Sequence, residues 1–507
     1  MRIRNASVKK LLEKYKEIST LGKIEAVLGW DLSVNLPAKA SDERAIQSAY
    51  LAKAVTEKWL DPEFKKILED VNSHPKGLNR REKAVIRNLN WGAKYYHRVP
   101  KEIIVEFAET AARAFIAWQE ARKKDKFSDF KPFLKKLVEL NRLIAKHIGY
   151  KDNPYDALLD LYEPGLTTKS CREIYSLLQP ELTRILKKIT KSKNYSSTSD
   201  LVDSQSNFPQ DDQRQLSLFV LKRMGYDLKA GRMDISTHPF TTTLGHFDVR
   251  ITNRYKLNDF RDSLMTAMHE TGHALYEQGV KEEYAATPLD GGVSLGIHES
   301  QSRFWENQIG RSLEFIKYLT PVLHAFYPEQ LEKVDAQSLF LLFNTVKPSL
   351  VRTESDEVTY NLHVALRFEL EEGLINGRFK VEELPGLWRA KMKKYLGVVP
   401  KTDREGVLQD VHWSHGPMGY FPTYTLGNLY AAQFAKKMET ELDLKELSGK
   451  GELGTILSWL RTNIHQHGGM YWPQELSVRI TGAKLNPKHF LDYIKAKYSE
   501  IYKVKLQ

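Results

Sequence analysis

Two histidines four residues apart, with a glutamate beside the first, form the segment His269-Glu270-Thr271-Gly272-His273. On a helix, residues four apart share one face. His269 and His273 could therefore ligate one metal ion while Glu270, next to them, handles protons. This is the H-E-x-x-H spacing of hydrolytic zinc sites, with one Zn2+ expected per chain. The flanking residues predict a helix over Asn258–Gly279. Asn258 or Asp259 can cap its start, and Asp262 suits the positive end of its dipole. Leu264, Met268 and Leu275 recur at helical spacing, and Gly279 is a natural stop. A helix with two solvated histidines and an ordinary surface glutamate is the plain alternative, and the downstream residues weigh against it.

A catalytic zinc takes three protein ligands and leaves one position open. Glu299 lies 26 residues beyond His273, behind the glycine-rich stretch Gly291–Gly296 and at the head of a helix expected to run through Ile309. Glu282, Glu283 and Glu306 compete with it. The first two follow Gly279 too closely to fold back, and Glu306 is about two turns deeper in its helix. Glu299 is the expected third ligand, with His298 holding a nearby carboxylate or backbone group rather than the metal.

The elements that must position these residues are mainly helical. The first 150 residues or so read as successive helices, among them Val8–Ser19, Ser41–Lys58, Asn79–Arg98 and Phe130–Gly149. Trp30 and Asp31 among them read as structural. The polar stretch Ser192–Asp212 reads as a long loop or junction. Between Ser236 and Tyr255 the hydrophobic period changes to two across Gly245-His246, predicting a hairpin directly before the metal helix. Further helices follow, including Glu329–Asn344, Ser355–Glu371, Leu384–Leu396 and Tyr424–Leu442. No internal repeat is evident. The expected architecture is one mainly α catalytic unit over 1–507, with lobes near 1–190 and 213–507 and a small β-sheet beside the metal helix.

Composition narrows the class. With 41% hydrophobic and 28% charged residues the chain is globular, neither disordered nor fibrous. No apolar run is long enough for a transmembrane helix, and the N-terminus lacks the apolar core of a secretory signal. A single cysteine, Cys171, excludes an internal disulfide and a thiolate zinc site. A cytoplasmic location is expected, with no membrane partner. The net charge of +12 invites a nucleic-acid reading, but basic and acidic residues interleave along the chain and no nucleic-acid module is recognisable. Positive charge suits instead the attraction of a peptide's free carboxylate.

Taken with His298-Glu299-Ser300-Gln301, the metal motif resembles the carboxypeptidase Taq family of thermostable zinc carboxypeptidases. Four more segments carry the resemblance: His238-Pro239-Phe240, Asp248-Val249-Arg250-Ile251-Thr252, Val351-Arg352-Thr353-Glu354-Ser355-Asp356, and Gly406-Val407-Leu408-Gln409-Asp410-Val411-His412-Trp413. Ser355 departs from the family pattern, which has Ala there. The resemblance implies a mostly helical fold with a deep groove, a homodimer, and release of single C-terminal residues with broad specificity. It also implies that cobalt can replace zinc. Glu270 is then the general base. The oxyanion needs a donor, for which His412, Tyr420 and Tyr424 stand as unranked candidates. Arg352 suits recognition of the substrate's C-terminal carboxylate, with an ion pair to Glu354 or Asp356 as its alternative. Tyr420 is a further candidate for substrate contact. Asp248 and Asp410 could orient ligand histidines, Arg250 could brace the β segment, and His238 belongs to the same supporting group. Two other readings remain: a zinc oligopeptidase or endopeptidase sharing Glu270, and a basic binding protein whose zinc is structural.

Overall fold

The structure is a computed structural model that describes residues 2–195 and 206–507. The middle of the polar stretch expected as a loop, 196–205, lies outside the described residues. The fold is mainly α, as expected, with one three-stranded sheet. The chain divides into two compact units, each assembled from three stretches. The first comprises Met1–Ala93, Thr198–Phe343 and Tyr430–Leu485, and the second comprises Lys94–Ser197, Asn344–Leu429 and Asn486–Gln507. No helix among the described residues is long and apolar enough to cross a membrane.

In the first unit the predicted hairpin is present as β2 (Thr241–Gly245) and β3 (Asp248–Asn253), preceded by β1 (Met233–Ile235). The order is β1-β3-β2, with β1 parallel and β2 antiparallel to β3. The central strand β3 buries Val249 and Ile251. The helix Phe260–Gln278 packs on the sheet and buries Phe260, Leu264, Met268 and Leu275. Asp259 caps it by accepting the Arg261 N–H, as the sequence predicts. Its end differs in cause from the expectation. Gly279 has an ordinary right-handed φ of −93°, and what demands glycine is a close approach: a Cβ there would stand 2.6 Å from His465 Cβ.

The first helix runs over Ala6–Val34, well past the predicted Ser19, and pairs with Ser41–Trp59. Its Lys23 donates to the Thr243 carbonyl at 3.2 Å, so it packs along β2. Trp30 is buried with the Arg250 guanidinium 4.4 Å from its ring centroid, and Asp31 pairs with Arg44 at 2.7 Å, both structural contacts. The helix expected from His298 starts earlier, at Leu295, because Ser294 caps it by accepting the Ile297 N–H. After Arg303 it widens into a π-helical turn, Phe304–Gly310.

In the second unit the helix Tyr360–Ile375 touches Thr168–Thr190 and Leu384–Leu396 and is buried along nearly its whole length. It begins five residues later than the predicted Ser355, because the Asp356 carboxylate accepts the Val358 and Thr359 N–H groups and holds a turn there. A helix buried on all sides that carries His363, Arg367, Glu371 and Glu372 must satisfy each of them internally.

Candidate metal centre and a buried arginine cluster

His269 and His273 lie on the helix Phe260–Gln278 with ring centroids 4.9 Å apart and planes at 82°. Glu299 Oε2 stands 3.7 Å from His269 Nε2 and 3.3 Å from His273 Nε2. All three donor atoms lie within 4.8 Å of one another. Donors ~2.1 Å from a tetrahedral zinc stand ~3.4 Å apart, so this spacing fits one divalent ion.

The meeting of the two helices depends on Gly272. A Cβ at that position would lie 2.6 Å from both the Gln301 carbonyl oxygen and Ser302 Cα. Any larger residue would push the helix Leu295–Arg303 away and carry Glu299 with it.

The hydrogen bonds on the far side of each imidazole set its tautomer. His269 Nδ1 is 2.9 Å from Glu306 Oε2, a carboxylate that can only accept, so Nδ1 carries the hydrogen and the neutral ring, the form that binds a metal, has its lone pair on Nε2 beside Glu299. Burial lowers the His269 pKa, but Glu299 and Glu306 outweigh it and raise it. His273 Nδ1 is 2.6 Å from His298 Nδ1, and His298 Nε2 is 2.9 Å from Glu277 Oε1. Since Glu277 accepts, neutral His298 donates from Nε2 and accepts at Nδ1. His273 therefore donates from Nδ1 and keeps its own Nε2 lone pair free. Both histidines present ligand lone pairs to the same point, and the donor set fits a metal ion.

Charges follow this pattern. Burial holds the His273 pKa down at about 4, so no proton competes for Nε2 near neutrality. Burial opposes charge on Glu299, but Arg303, His269 and His273 outweigh it and hold its carboxyl well below the usual range. Glu306 is lowered likewise, with Arg303, His269 and Arg311 overcoming burial. Arg303 donates to Glu299 at 2.7 Å and to Glu306 at 3.1 Å, and Arg311 donates to Glu306 at 3.1 Å. Glu270 differs: burial raises its pKa above the ordinary value, and its Oε2 lies 2.7 Å from the Thr241 hydroxyl on β2. A glutamate whose proton affinity is raised is suited to accepting and returning a proton.

The remaining expected residues fall into other settings. Asp248 forms a two-pronged pair with Arg250 at 2.8 Å, so it braces the strand and does not orient a ligand histidine. Behind the two histidines stand instead Glu306, bonded to His269, and His298, bonded to His273. His238 is exposed, and its carbonyl accepts from Ser236 at 2.8 Å.

Within the second unit Arg352, Asp410, His412, Tyr420 and Tyr424 form one cluster. Arg352 pairs with Asp410 at 3.1 Å rather than with Glu354 or Asp356, and donates to the Tyr360 hydroxyl at 3.1 Å. Asp410 thus holds arginines, not ligand histidines. Arg367 grips the same carboxylate at 2.6 Å and donates to Gln409 Oε1 at 2.7 Å. Two guanidiniums share one carboxylate. Burial and then the competition from Arg352 bring the Arg367 pKa down to about 10, while Arg367 and Arg352 together hold the Asp410 carboxyl far below normal against burial. The cluster keeps one excess positive charge, and Arg352 Nη2 makes no hydrogen bond to any described residue. The Arg352 guanidinium lies 4.8 Å from the Tyr424 ring centroid, and His412 Nε2 is 3.0 Å from the Tyr424 hydroxyl. Burial, then Arg352, lowers the His412 pKa to about 3. Tyr420 packs edge-on against Tyr424 and Tyr162.

Sequence reasoning did not find Arg367, Thr241 or the arginines on Glu306. Arg303, four residues after Glu299 and three before Glu306, was the one readable signal. Arg367 lies inside a helix buried along nearly its whole length, and nothing local marks it as a partner of Asp410.

Two half-buried histidines and a buried glutamate converge beside Glu270 in the way a hydrolytic metal site requires. The chain matches the family described as carboxypeptidase Taq (M32) metallopeptidase over residues 10–498. It is 40% identical to thermostable carboxypeptidase 1 of Pyrococcus furiosus over 97% of this chain and 99% of that protein. Identity to thermostable carboxypeptidase 1 of Thermus thermophilus is also 40%, over 98% and 99% of the two chains. The solved structure of the Pyrococcus furiosus carboxypeptidase superposes with a TM-score of 0.95 at 40% identity, covering 98% of this chain and 99% of that one. The chain belongs to the carboxypeptidase Taq (M32) family of metallopeptidases and is a peptide hydrolase of the carboxypeptidase class.

Two outcomes follow for the metal centre. Gly272→Ala forces the two helices apart; it should cost about 1–3 kcal/mol of stability in thermal or denaturant unfolding and weaken metal binding in chelator competition. Glu306→Gln should weaken metal affinity by about 10–100-fold in the same competition, since His269 loses the carboxylate that orients it.

Proposed function

We propose that the chain is a zinc carboxypeptidase that releases single C-terminal residues from peptides with broad specificity, with His269, His273 and Glu299 as the metal ligands. The observation that carries the hydrolytic part is the convergence of these three donors next to Glu270. When bound there, a zinc ion acidifies water and polarises the scissile carbonyl, and cobalt can supply the same Lewis acidity. Glu270 accepts the proton of the attacking water and returns it to the departing amine. Thr241 holds the Glu270 carboxylate in place from β2.

The terminal carboxylate falls to Arg352. Its cluster carries an excess positive charge, and its guanidinium is already fixed by Asp410 and Tyr360, so an incoming carboxylate meets a pre-oriented fork. His412, Tyr420 and Tyr424 are the donors available to a developing oxyanion. The Tyr424 hydroxyl is the one bonded to His412, which favours it among the three. The assignment extends to a homodimer in the cytoplasm and, by likeness to the thermostable relatives, to heat resistance.

Glu270→Gln should lower kcat by about 10²–10⁴-fold while leaving metal content unchanged, read from steady-state hydrolysis and metal analysis of the same sample. Arg352→Met should lower kcat/KM for a free-ended peptide about 100-fold, and amidating the peptide's C-terminus should cost the wild type about as much. Asp410 keeps Arg367, so this substitution strands no buried carboxylate. Equal cleavage of free and amidated peptides would sink the exopeptidase reading in favour of an endopeptidase.

A further inference from the structure

Glu371 is fully buried in the second unit, has no ion pair to any described residue, and is used by none of the roles above. It lies one turn after Arg367 on the helix Tyr360–Ile375. Its Oε1 accepts Trp413 Nε1–H at 2.8 Å. Its Oε2 accepts the Tyr155 hydroxyl at 2.6 Å and the Gly419 N–H at 2.9 Å. One carboxylate thus gathers the helix Pro154–Leu159, the turn His412–His415 and the loop after it. Trp413 is next to His412, and Gly419 is next to Tyr420.

The loop has no slack to place itself otherwise. Gly419 has a φ of +99°, and a Cβ there would lie 2.8 Å from the Leu158 carbonyl carbon. Trp413 Nε1 and the Gly419 amide can only donate, so only a group with an acceptor on each of two oxygens serves both. A carboxamide in either orientation turns its NH2 toward one of them and strands a buried donor.

We propose that Glu371 is a positioning residue: by holding Tyr155, Trp413 and Gly419 together it sets the 412–424 segment, and with it His412, Tyr420 and Tyr424 against Arg352. This rests on the reading of that segment as the part that meets substrate. Burial pushes the Glu371 carboxyl up to about 7; Tyr155, Gly419 and Trp413 offset this only in part, and Asp410 adds to it. The other titratable groups near it are Tyr162 and Tyr175, which feel its charge, the Cys171 thiol, pushed far up by burial, and, on the turn that carries Trp413, His412 and His415, both lowered by burial. The cations on and around its helix are committed elsewhere. Arg367 is held by Asp410 and Gln409, Arg172 and Arg378 by Glu372, Lys391 by Glu369, and Arg142 by the Leu374 carbonyl. The folded-state pKa is raised, so the neutral form is favoured in the fold: stability is greatest below the unfolded pKa and declines as pH rises toward and through about 7, where the charge-assisted bonds to the loop are completed.

The test uses the full-length, metal-loaded protein with 15N-indole tryptophan. One of nine indole signals, assigned by its loss in Trp413→Phe, should shift with a midpoint near 7 in the wild type and stay flat in Glu371→Gln. In parallel, Glu371→Gln should lower kcat/KM for a free-ended peptide about tenfold or more above pH ~8 with metal content intact. A Trp413 signal that Glu371→Gln leaves at its wild-type position across the pH range overturns the proposal. So does a Glu371→Gln enzyme with unchanged kcat/KM. The wild-type titration needs no folded variant at position 371. It also stands apart from the proposed function, whose failure would show instead as a wild type that does not cleave free-ended peptides.

Discussion

The backbone contact at Gly272 is the constraint on which the metal centre depends. Two histidines on one helix supply only two donors, and the third must come from another helix brought in close enough for a short side chain to reach. Hydrogen as the side chain of residue 272 lets the Gln301–Ser302 backbone pack directly on the histidine helix. That approach puts Glu299 Oε2 3.3 Å from His273 Nε2. The cost is a set of buried charges, and the surrounding residues neutralise it. Arg303 and Arg311 balance Glu299 and Glu306, while Glu277 sits at the end of a chain through His298. Each of these partners also fixes an orientation, so charge balance and ligand geometry are provided by the same hydrogen bonds.

The second unit solves a different electrostatic problem. The helix Tyr360–Ile375 carries polar groups through an apolar interior, and each is answered by a separate part of the chain. Tyr360 accepts from Arg352, Arg367 holds Asp410 and Gln409, and Glu371 gathers Trp413 and Gly419. The cluster is left with one more guanidinium than carboxylate. In a low-dielectric setting an excess charge of this kind is expensive unless an anion balances it.

The convergence of His269, His273 and Glu299 beside Glu270 was legible because the information is local. Four-residue spacing on a helix, a capping aspartate and a carboxylate at the head of the next helix can all be read without knowing the fold. The hairpin was legible for the same reason, from its period of two. Less visible was anything set by burial. Strand β1 and the helix Leu313–Phe326, which contains Pro321, did not emerge from the pattern. Glu306 was weighed as a rival ligand although its place is behind His269, and Asp248 and Asp410 were expected near histidines although both bind arginines.

By itself the sequence determined the mainly helical class and, through its motifs, the family, and it singled out His269, His273, Glu299 and Glu270, which the fold brings together. These depend on residue type and short-range spacing, which the helix period converts directly into geometry. The tertiary structure decided which segments share a unit, why residues 272 and 279 must be glycine, and which partner each buried charge takes. Those outcomes turn on contacts between residues tens to hundreds of positions apart. In a low-dielectric interior a charged group is satisfied by whatever the packing brings to it, and no local pattern in the chain encodes that choice.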